Sequence, residues 1–152
     1  MVLSVGETAP QFSARDQDGR KRSPDYDSPT VVFFYPEDGT PGCTQEVKQF
    51  VMEFETYSEA GVRILGVSSD SVDDHRDFAG ELDVGFPLLA DPEGQIMESF
   101  DVERDNGRAS RTTFVVVDGQ IHSVYTNVDP DGHARELLMD LLDDGVVELP
   151  GL

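Results

Sequence analysis

The chain has 152 residues, and its 31 acidic and 11 basic side chains give a formal net charge of −20 at pH 7. Such a negative surface repels DNA, RNA and anionic lipid, so the composition argues against nucleic acid or a membrane as a partner. The single cysteine excludes an intrachain disulfide framework. No stretch approaches the roughly 20 apolar residues of a membrane-spanning helix, and no signal peptide is recognisable. We therefore expect a cytoplasmic protein with a single domain over residues 1–152.

The excess of acids is compatible with a disordered chain or with a folded protein adapted to high salt. A share of 38% hydrophobic residues, arranged in periodic segments, argues against disorder. Lys21 and Lys48 are the only lysines. This composition resembles the acidic, lysine-poor surfaces of proteins from salt-loving cells, in which dissolved salt screens the repulsion between like charges. We therefore expect a halophilic protein.

The first half of the chain alternates between strand and helix patterns. Residues Val31–Tyr35 form a continuous apolar run that is typical of a buried strand. Thr40 is a favourable N-cap and Pro41 suits the first helical position, so a helix is predicted to begin there and to end near Gly61. Its apolar residues recur at steps of three and four: Val47, Phe50, Val51, Phe54 and Tyr57. Val62–Val67 then indicates a second buried strand.

The next segment contains shorter elements. Ser69–Ser71 is predicted to cap a helix that reaches about Gly80. We interpret the aspartates of this segment as a solvated helix face: Asp70, Asp73, Asp74 and Asp77. Phe86–Leu89 indicates a brief strand, and Pro92–Phe100 indicates a short helix.

Two strands and a helix complete the chain. Asp118-Gly119 is a strong two-residue hairpin signal between the predicted strands Thr112–Val117 and Ile121–Thr126. The last helix carries a stripe of apolar residues: Ala134, Leu137, Leu138, Leu141 and Leu142. This order predicts an α/β protein with a central mixed sheet flanked by helices, which matches a thioredoxin-like fold. The fold by itself assigns no chemistry.

Cys43 lies in the first turn of the first predicted helix. Unpaired backbone N–H groups and the positive end of the helix dipole favour a thiolate there. Gly42 leaves the backbone beside the sulfur open to a small oxidant, and Thr40 offers a hydroxyl nearby. A lone cysteine is more often a small buried hydrophobe, but this pattern predicts a reactive thiol.

The spacing Pro36-x-x-x-Thr40-x-x-Cys43 resembles the active-site motif of peroxiredoxins. Further stretches along nearly the whole chain resemble the bacterioferritin-comigratory-protein, or peroxiredoxin Q, branch in content and order: "VGETAPQF", "FYPEDGTPGCTQE", "ILGVSSDS", "FPLLADPEG" and "SRTTFVVVDG". The resemblance implies a thioredoxin fold and a thiol-dependent peroxidase that reduces hydrogen peroxide and organic hydroperoxides.

The resemblance also implies a role for each matching residue. Cys43 would attack the peroxide and become a sulfenic acid. Thr40 would hydrogen-bond the bound peroxide, and Pro36 would shield the thiolate from water. Arg111 matches an arginine that steadies the thiolate and the peroxide oxygens, and Glu46 matches a glutamate near that arginine.

Lys48 occupies the position at which many members of this branch carry a resolving cysteine. The chain therefore resembles a one-cysteine peroxiredoxin, whose sulfenic acid needs an external thiol, either a small molecule or a thioredoxin-like protein. At five residues along a helix from Cys43, Lys48 is expected to point away from the sulfur. The branch contains monomers and homodimers, and both stay open.

Other interpretations of the same residues also stay open. Thr40 could serve only as a helix cap, Pro36 only as the end of a strand, and Arg111 only as the partner of a carboxylate. Glu46 is equally explained as a first-turn acid that interacts with the helix dipole. Oxidised Cys43 could instead signal to a protein partner, or the chain could be a silent thioredoxin-like binding module.

No metal or cofactor is predicted. The three histidines, His75, His122 and His133, lack the spacing of metal ligands and are far from Cys43 in sequence, so they are expected at the surface.

Overall fold

The computed structural model describes residues 2–148. In chain order the elements are β1 (Ala14–Arg15), β2 (Lys21–Arg22), β3 (Thr30–Phe34), α1 (Pro41–Glu59), β4 (Arg63–Ser68), α2 (Val72–Leu82), β5 (Leu88–Ala90), α3 (Gln95–Ser99), β6 (Arg104–Asp105), β7 (Arg108–Ala109), β8 (Thr112–Val117), β9 (Gln120–Thr126) and α4 (His133–Asp143). Within the described range, no helix is long and apolar enough to cross a membrane.

A five-stranded mixed sheet with the order β5-β4-β3-β8-β9 forms the centre of the molecule. β3 pairs in parallel with β4, and β4 pairs in parallel with β5, because α1 and α2 provide the crossovers that parallel neighbours require. β8 pairs antiparallel with both β3 and β9, and the β8–β9 hairpin turns at Asp118-Gly119. The predicted α/β fold with a mixed sheet is confirmed.

Side chains of the central strand alternate between two hydrophobic clusters, one on each face of the sheet. Val31 and Phe33, together with Tyr35 immediately after the strand, belong to the cluster that includes buried residues of α1, α2 and α4. Val32 and Phe34 belong to the opposite cluster, which includes buried residues of α3. All five residues of β3 are buried, which explains why its sequence is a continuous apolar run. The connection to α1 therefore begins at the carboxyl edge of the central strand, where open α/β sheets usually place their binding sites.

Two short hairpins, β1–β2 and β6–β7, were not predicted from the sequence. Each strand has only two residues and carries no apolar alternation that a sequence pattern could register. The sequence does contain a signal for the β6–β7 turn, which is the dipeptide Asn106-Gly107. Both of these residues have positive φ, 52° and 79°. These angles are typical of the tight hairpin turn that Asn-Gly favours.

Candidate active site

The start of α1 has the geometry that its sequence predicts. Thr40 is the N-cap with extended backbone angles, Pro41 occupies the first helical position, and Cys43 follows in the first turn. The Thr40 hydroxyl does not cap an amide, however, because it donates a 2.9 Å hydrogen bond to the carbonyl of Glu37. That bond closes the loop before the helix and leaves the hydroxyl oxygen able to accept a hydrogen bond from another molecule.

Cys43 is fully buried, at 0% exposure, in the hydrophobic cluster that also contains Tyr35 and Phe50. The backbone N–H of Glu37 donates to this sulfur at 3.4 Å. Glu37 follows Pro36, which leads the loop and is partly buried. A backbone donor and a helix N-terminus thus both face the sulfur, and these groups can stabilise negative charge on it.

Arg111 brings a cationic group to the same helix turn. It immediately precedes β8, and its Nη1 donates a 2.9 Å hydrogen bond to Oε1 of Glu46, three residues beyond Cys43. Its guanidinium also lies directly against Gly42, since a Cβ atom at that glycine would stand only 2.5 Å from Nη2 of Arg111. Glycine is therefore required beside Cys43 for the guanidinium to approach this closely.

Glu46 is almost completely buried, at 1% exposure. Its Oε2 has no hydrogen-bond partner among the described residues. Burial raises the pKa of the Glu46 carboxyl from its ordinary 4.5 to about 7, against the opposing effect of the Arg111 charge. Near neutral pH the contact with Arg111 therefore alternates between an ion pair and a hydrogen bond to a neutral acid.

Some of the five predicted site residues are in direct contact, and others are connected only through a neighbouring group. Arg111 and Glu46 contact each other beside the turn that holds Cys43. Thr40 is linked to Cys43 through Glu37, whose carbonyl accepts from the hydroxyl and whose amide donates to the sulfur. Pro36 adjoins that amide in sequence. Lys48 is exposed on α1, as expected for a residue that points away from Cys43.

The predicted surface position is wrong for two of the three histidines. His75 is fully buried, and its ring contacts Asp38 and the Leu89 carbonyl. His133 is 4% exposed, its ring contacts the Thr113 hydroxyl at 2.9 Å, and burial lowers the pKa of that ring to about 4. The missed signal is helical periodicity. Buried apolar residues follow each histidine about one turn later in its helix, so both histidines begin the buried stripe of their helix.

Asp70 also departs from its predicted role as part of a solvated face. It is partly buried and accepts hydrogen bonds from the Asp38 amide at 2.8 Å and the Ser68 hydroxyl at 2.6 Å. Asp73, Asp74 and Asp77 are exposed on α2, as expected. Asp70 differs because it precedes the helix at the end of β4, where it meets the loop that leads to Cys43.

The AhpC/TSA family model matches residues 5–124 of this chain. The chain belongs to the AhpC/TSA family. A Coxiella burnetii protein, named as a putative peroxiredoxin bcp, is 35% identical in a match that covers 91% of this chain and 98% of that protein. Peroxidoxin BcpB from Mycobacterium tuberculosis has a solved structure with a TM-score of 0.87 and 32% identity, over 93% of this chain and 97% of that one. The bacterioferritin comigratory protein of Xanthomonas campestris matches with a TM-score of 0.82 and 29% identity, over 88% of this chain and 91% of that one.

These matches confirm the predicted peroxiredoxin family, its bacterioferritin-comigratory-protein branch and its thioredoxin-like fold. The chain is a thiol-dependent peroxidase of the peroxiredoxin type, and its single cysteine makes it a one-cysteine member. The roles of the individual residues stay predictions, and two variants test the pair of groups beside Cys43.

Gly42→Ala is expected to slow peroxide reduction by this peroxiredoxin about tenfold while the protein stays folded. The new methyl group would displace the guanidinium of Arg111, which is the flexible end of a side chain and can move. Alanine also favours the helix by about 1 kcal/mol over glycine. The measurement is the second-order rate constant for peroxide together with the thermal midpoint. Gly80→Ala in α2 is the matched control, since a Cβ there meets nothing within 4 Å, and equal rates for both variants would contradict the expectation.

Glu46→Gln is expected to change how stability depends on pH. Because the folded state raises the pKa of Glu46 to about 7, it binds this proton more tightly than the unfolded chain does. The resulting stabilisation is present below about pH 4.5 and is lost as the pH rises through about 7. Relative to the glutamine variant, the native protein should therefore lose up to a few kcal/mol of unfolding free energy over that interval.

Urea unfolding at several pH values between these limits measures the effect. Glu53→Gln removes another carboxylate of α1 and its ion pair with Arg135, and so serves as the matched control. Parallel stability curves for the native protein and Glu46→Gln would contradict the expected proton uptake at Glu46.

Proposed function

We propose that this peroxiredoxin reduces hydrogen peroxide and organic hydroperoxides at Cys43 and that an external thiol regenerates it. The observation that carries this proposal is the sulfur at the N-terminus of α1, which accepts from the Glu37 amide while the Arg111 guanidinium lies against the preceding glycine. The bacterioferritin comigratory protein of Xanthomonas campestris has alkyl peroxide reduction activity, which supports organic hydroperoxides as one substrate class here.

In the proposed first step the Cys43 thiolate attacks the terminal oxygen of the peroxide. A sulfur–oxygen bond forms, the oxygen–oxygen bond breaks, and the departing oxygen takes a proton and leaves as water or an alcohol. Thr40 is proposed to accept a hydrogen bond from the peroxide, and Arg111 to stabilise the charge that develops on the departing oxygen. Pro36 is proposed to exclude water from the sulfur.

In the proposed second step an external thiol attacks the sulfenic acid of Cys43, forming a mixed disulfide and releasing water. A second equivalent of thiol then attacks the mixed disulfide, restores the Cys43 thiol and leaves as a disulfide. No residue of this chain can replace the external thiol, because the sequence contains one cysteine. The reductant is proposed to be a small-molecule thiol or a thioredoxin-like protein.

The experiment that tests this function measures peroxide consumption with a panel of small thiols and a thioredoxin, followed by mass spectrometry of Cys43. Catalytic consumption with at least one donor, with a sulfenic acid or mixed disulfide on Cys43 between cycles, is the expected result. A single equivalent of peroxide consumed, with no turnover by any donor, would instead favour a sensor. No oxidation of Cys43 at all would leave only a silent binding module.

We further infer that the protein is halophilic and cytoplasmic, with no nucleic-acid or membrane partner. The net charge of −20 and the scarcity of lysine support the inferred adaptation to salt and the absence of anionic partners. The single domain over residues 1–152 and the state as a monomer or homodimer remain predictions that gel filtration and limited proteolysis can test.

The thermal midpoint is expected to rise by about 5 °C or more between low salt and molar sodium chloride, because salt screens the repulsion among the surface carboxylates. Differential scanning calorimetry at fixed pH measures the change. Sucrose at matched osmolality is the control, since it stabilises proteins by exclusion without screening charge. A midpoint that does not change with sodium chloride, or that rises equally with sucrose, would contradict adaptation of the charged surface to salt.

A further inference from the structure

A buried chain of hydrogen bonds lies behind the loop that connects β3 to α1. The Tyr35 hydroxyl donates to Oδ1 of Asp38 at 2.6 Å. The other oxygen of Asp38 contacts Nδ1 of His75 at 2.6 Å, and Nε2 of His75 lies 3.1 Å from the carbonyl oxygen of Leu89. The chain therefore connects the end of β3, the loop, α2 and β5 through side chains that are almost completely buried.

The partners of the His75 ring determine where its protons lie. The Leu89 carbonyl can only accept a hydrogen bond, so Nε2 carries a proton. The 2.6 Å contact between Nδ1 and Asp38 requires a second proton between them. Tyr35 stays protonated because burial and the Asp38 charge raise the pKa of its phenol well above the ordinary range. The chain is therefore fully satisfied when one proton is shared between Asp38 and His75.

A metal ion at this cluster is disfavoured by the same contacts. Asp38, Asp70 and His75 could each offer one ligand atom, and those atoms lie within 4.8 Å of one another. However, both ring nitrogens of His75 and both carboxylate oxygens of Asp38 already have hydrogen-bond partners. A cation would have to displace the proton that joins the two side chains.

The same loop is also fixed through its backbone. The Asp38 amide donates to Oδ2 of Asp70, and the neighbouring Glu37 amide donates to the sulfur of Cys43. Two consecutive amides of the loop therefore have different partners. The Asp38 amide anchors the loop to the end of β4, and the Glu37 amide donates to the sulfur of Cys43. With Asp38 held by both its side chain and its amide, the backbone angles of Glu37 have little freedom.

We propose that Asp38 and His75 are positioning residues, which hold the loop so that the Glu37 amide donates to Cys43 and Thr40 faces the peroxide. This proposal rests on the proposed reaction at Cys43. Neither side chain touches the sulfur, so the effect is transmitted through the loop backbone. Loss of the chain of hydrogen bonds lets the Glu37 amide turn away and lowers the reactivity of the thiol, even when the fold persists.

Two buried tyrosines provide a matched pair of variants for the test. Tyr35→Phe removes the hydroxyl that donates to Asp38, whereas Tyr26→Phe removes a hydroxyl that donates at 2.7 Å to the Pro10 carbonyl, outside the loop. Each change deletes one partly buried hydrogen bond from a core tyrosine. Tyr35→Phe should lower the rate constant of Cys43 with iodoacetamide and with hydrogen peroxide about fivefold to tenfold, whereas Tyr26→Phe should leave both rates unchanged.

Variants of Asp38 provide a second comparison, which distinguishes the effect of its hydrogen bonds from the effect of its negative charge. In Asp38→Asn, the amide can still accept from Tyr35 and donate to Nδ1 of a neutral His75 ring. This variant should keep Cys43 reactivity within about threefold of the native protein, while Asp38→Ala should lose about tenfold. In NMR spectra, the far-downfield signal of the proton shared with His75 should disappear in both variants, and the Glu37 amide should shift strongly only in Asp38→Ala.

The outcomes distinguish this proposal from the proposed function. If Tyr35→Phe and Asp38→Ala react with iodoacetamide at the rate of Tyr26→Phe, the positioning role is overturned, whether or not peroxide is consumed. If the native protein consumes no peroxide with any thiol, the proposed function fails, and the iodoacetamide comparison still decides the role of the hydrogen bonds. Should Asp38→Ala fail to fold, Tyr35→Phe alone decides, because it removes a single oxygen atom.

Discussion

Cys43→Ser is expected to abolish thiol-dependent peroxide removal, with a loss of at least about a thousandfold in the second-order rate constant. A serine hydroxyl stays protonated at neutral pH and is a far weaker nucleophile, and this chain has no second cysteine to take over the reaction. Stopped-flow measurement of peroxide consumption with an excess of the best thiol donor checks the loss. Equal removal of peroxide by the native protein and the variant would show that Cys43 is not the reacting group.

In that experiment, loss of the reacting group must be distinguished from loss of folding stability, because residue 43 is fully buried. A serine there places a hydroxyl in an apolar cluster, at a cost of about 1–3 kcal/mol that a hydrogen bond from the Glu37 amide partly offsets. Cys43→Ala avoids that cost and should be equally inactive. Native protein alkylated at Cys43 provides a chemical control without any mutation. Both mutants should retain a cooperative thermal transition. If a mutant is unfolded, its inactivity says nothing about Cys43, and the activity of the alkylated protein decides instead.

Much of the fold was predictable because the longer elements carry strong periodic patterns. The strand before the active-site loop was predicted at Val31–Tyr35 and lies at Thr30–Phe34, and the predicted helix start at Pro41 is confirmed. The hairpin at Asp118-Gly119 is also confirmed, since both residues have the positive φ that its turn requires. The two-residue strands were missed because they bury little apolar surface and have no alternation to detect.

The candidate site was predictable only where its residues are neighbours in sequence. Thr40 and Cys43 fall on one helix start, so local rules alone indicated a reactive thiol there. Arg111 and Glu46 are 65 residues apart in sequence, and no local pattern connects them. The family resemblance predicted both residues, and in the structure Nη1 of Arg111 lies 2.9 Å from Oε1 of Glu46. His75 was missed because sequence rules treat a lone histidine as polar, whereas its position in a stripe with Phe78 and Ala79 places it in the core.

Arg111→Ala is expected to lower the rate of peroxide reduction about a hundredfold while the protein stays folded. The guanidinium is the cationic group that lies against Gly42 in the turn of Cys43, so its loss removes the proposed stabilisation of the departing oxygen. It also leaves the buried carboxyl of Glu46 without its hydrogen-bond donor. Because the Arg111 charge opposes the effect of burial on the pKa of Glu46, that carboxyl should be more fully protonated at neutral pH in the variant, which limits the cost in stability.

Two further arginine variants decide whether geometry or charge produces the effect. Arg111→Lys keeps a positive charge but lacks the planar fork that can bond Glu46 and a peroxide oxygen together, so its rate should lie between those of the native protein and Arg111→Ala. Arg135→Ala is the matched control, because it removes an exposed arginine that pairs with Glu53 on the same helix α1 at 2.8 Å. Its rate should be unchanged. If Arg111→Ala and Arg135→Ala slow the reaction equally, the effect would come from the overall field of the protein, and Arg111 would have no special role beside Cys43.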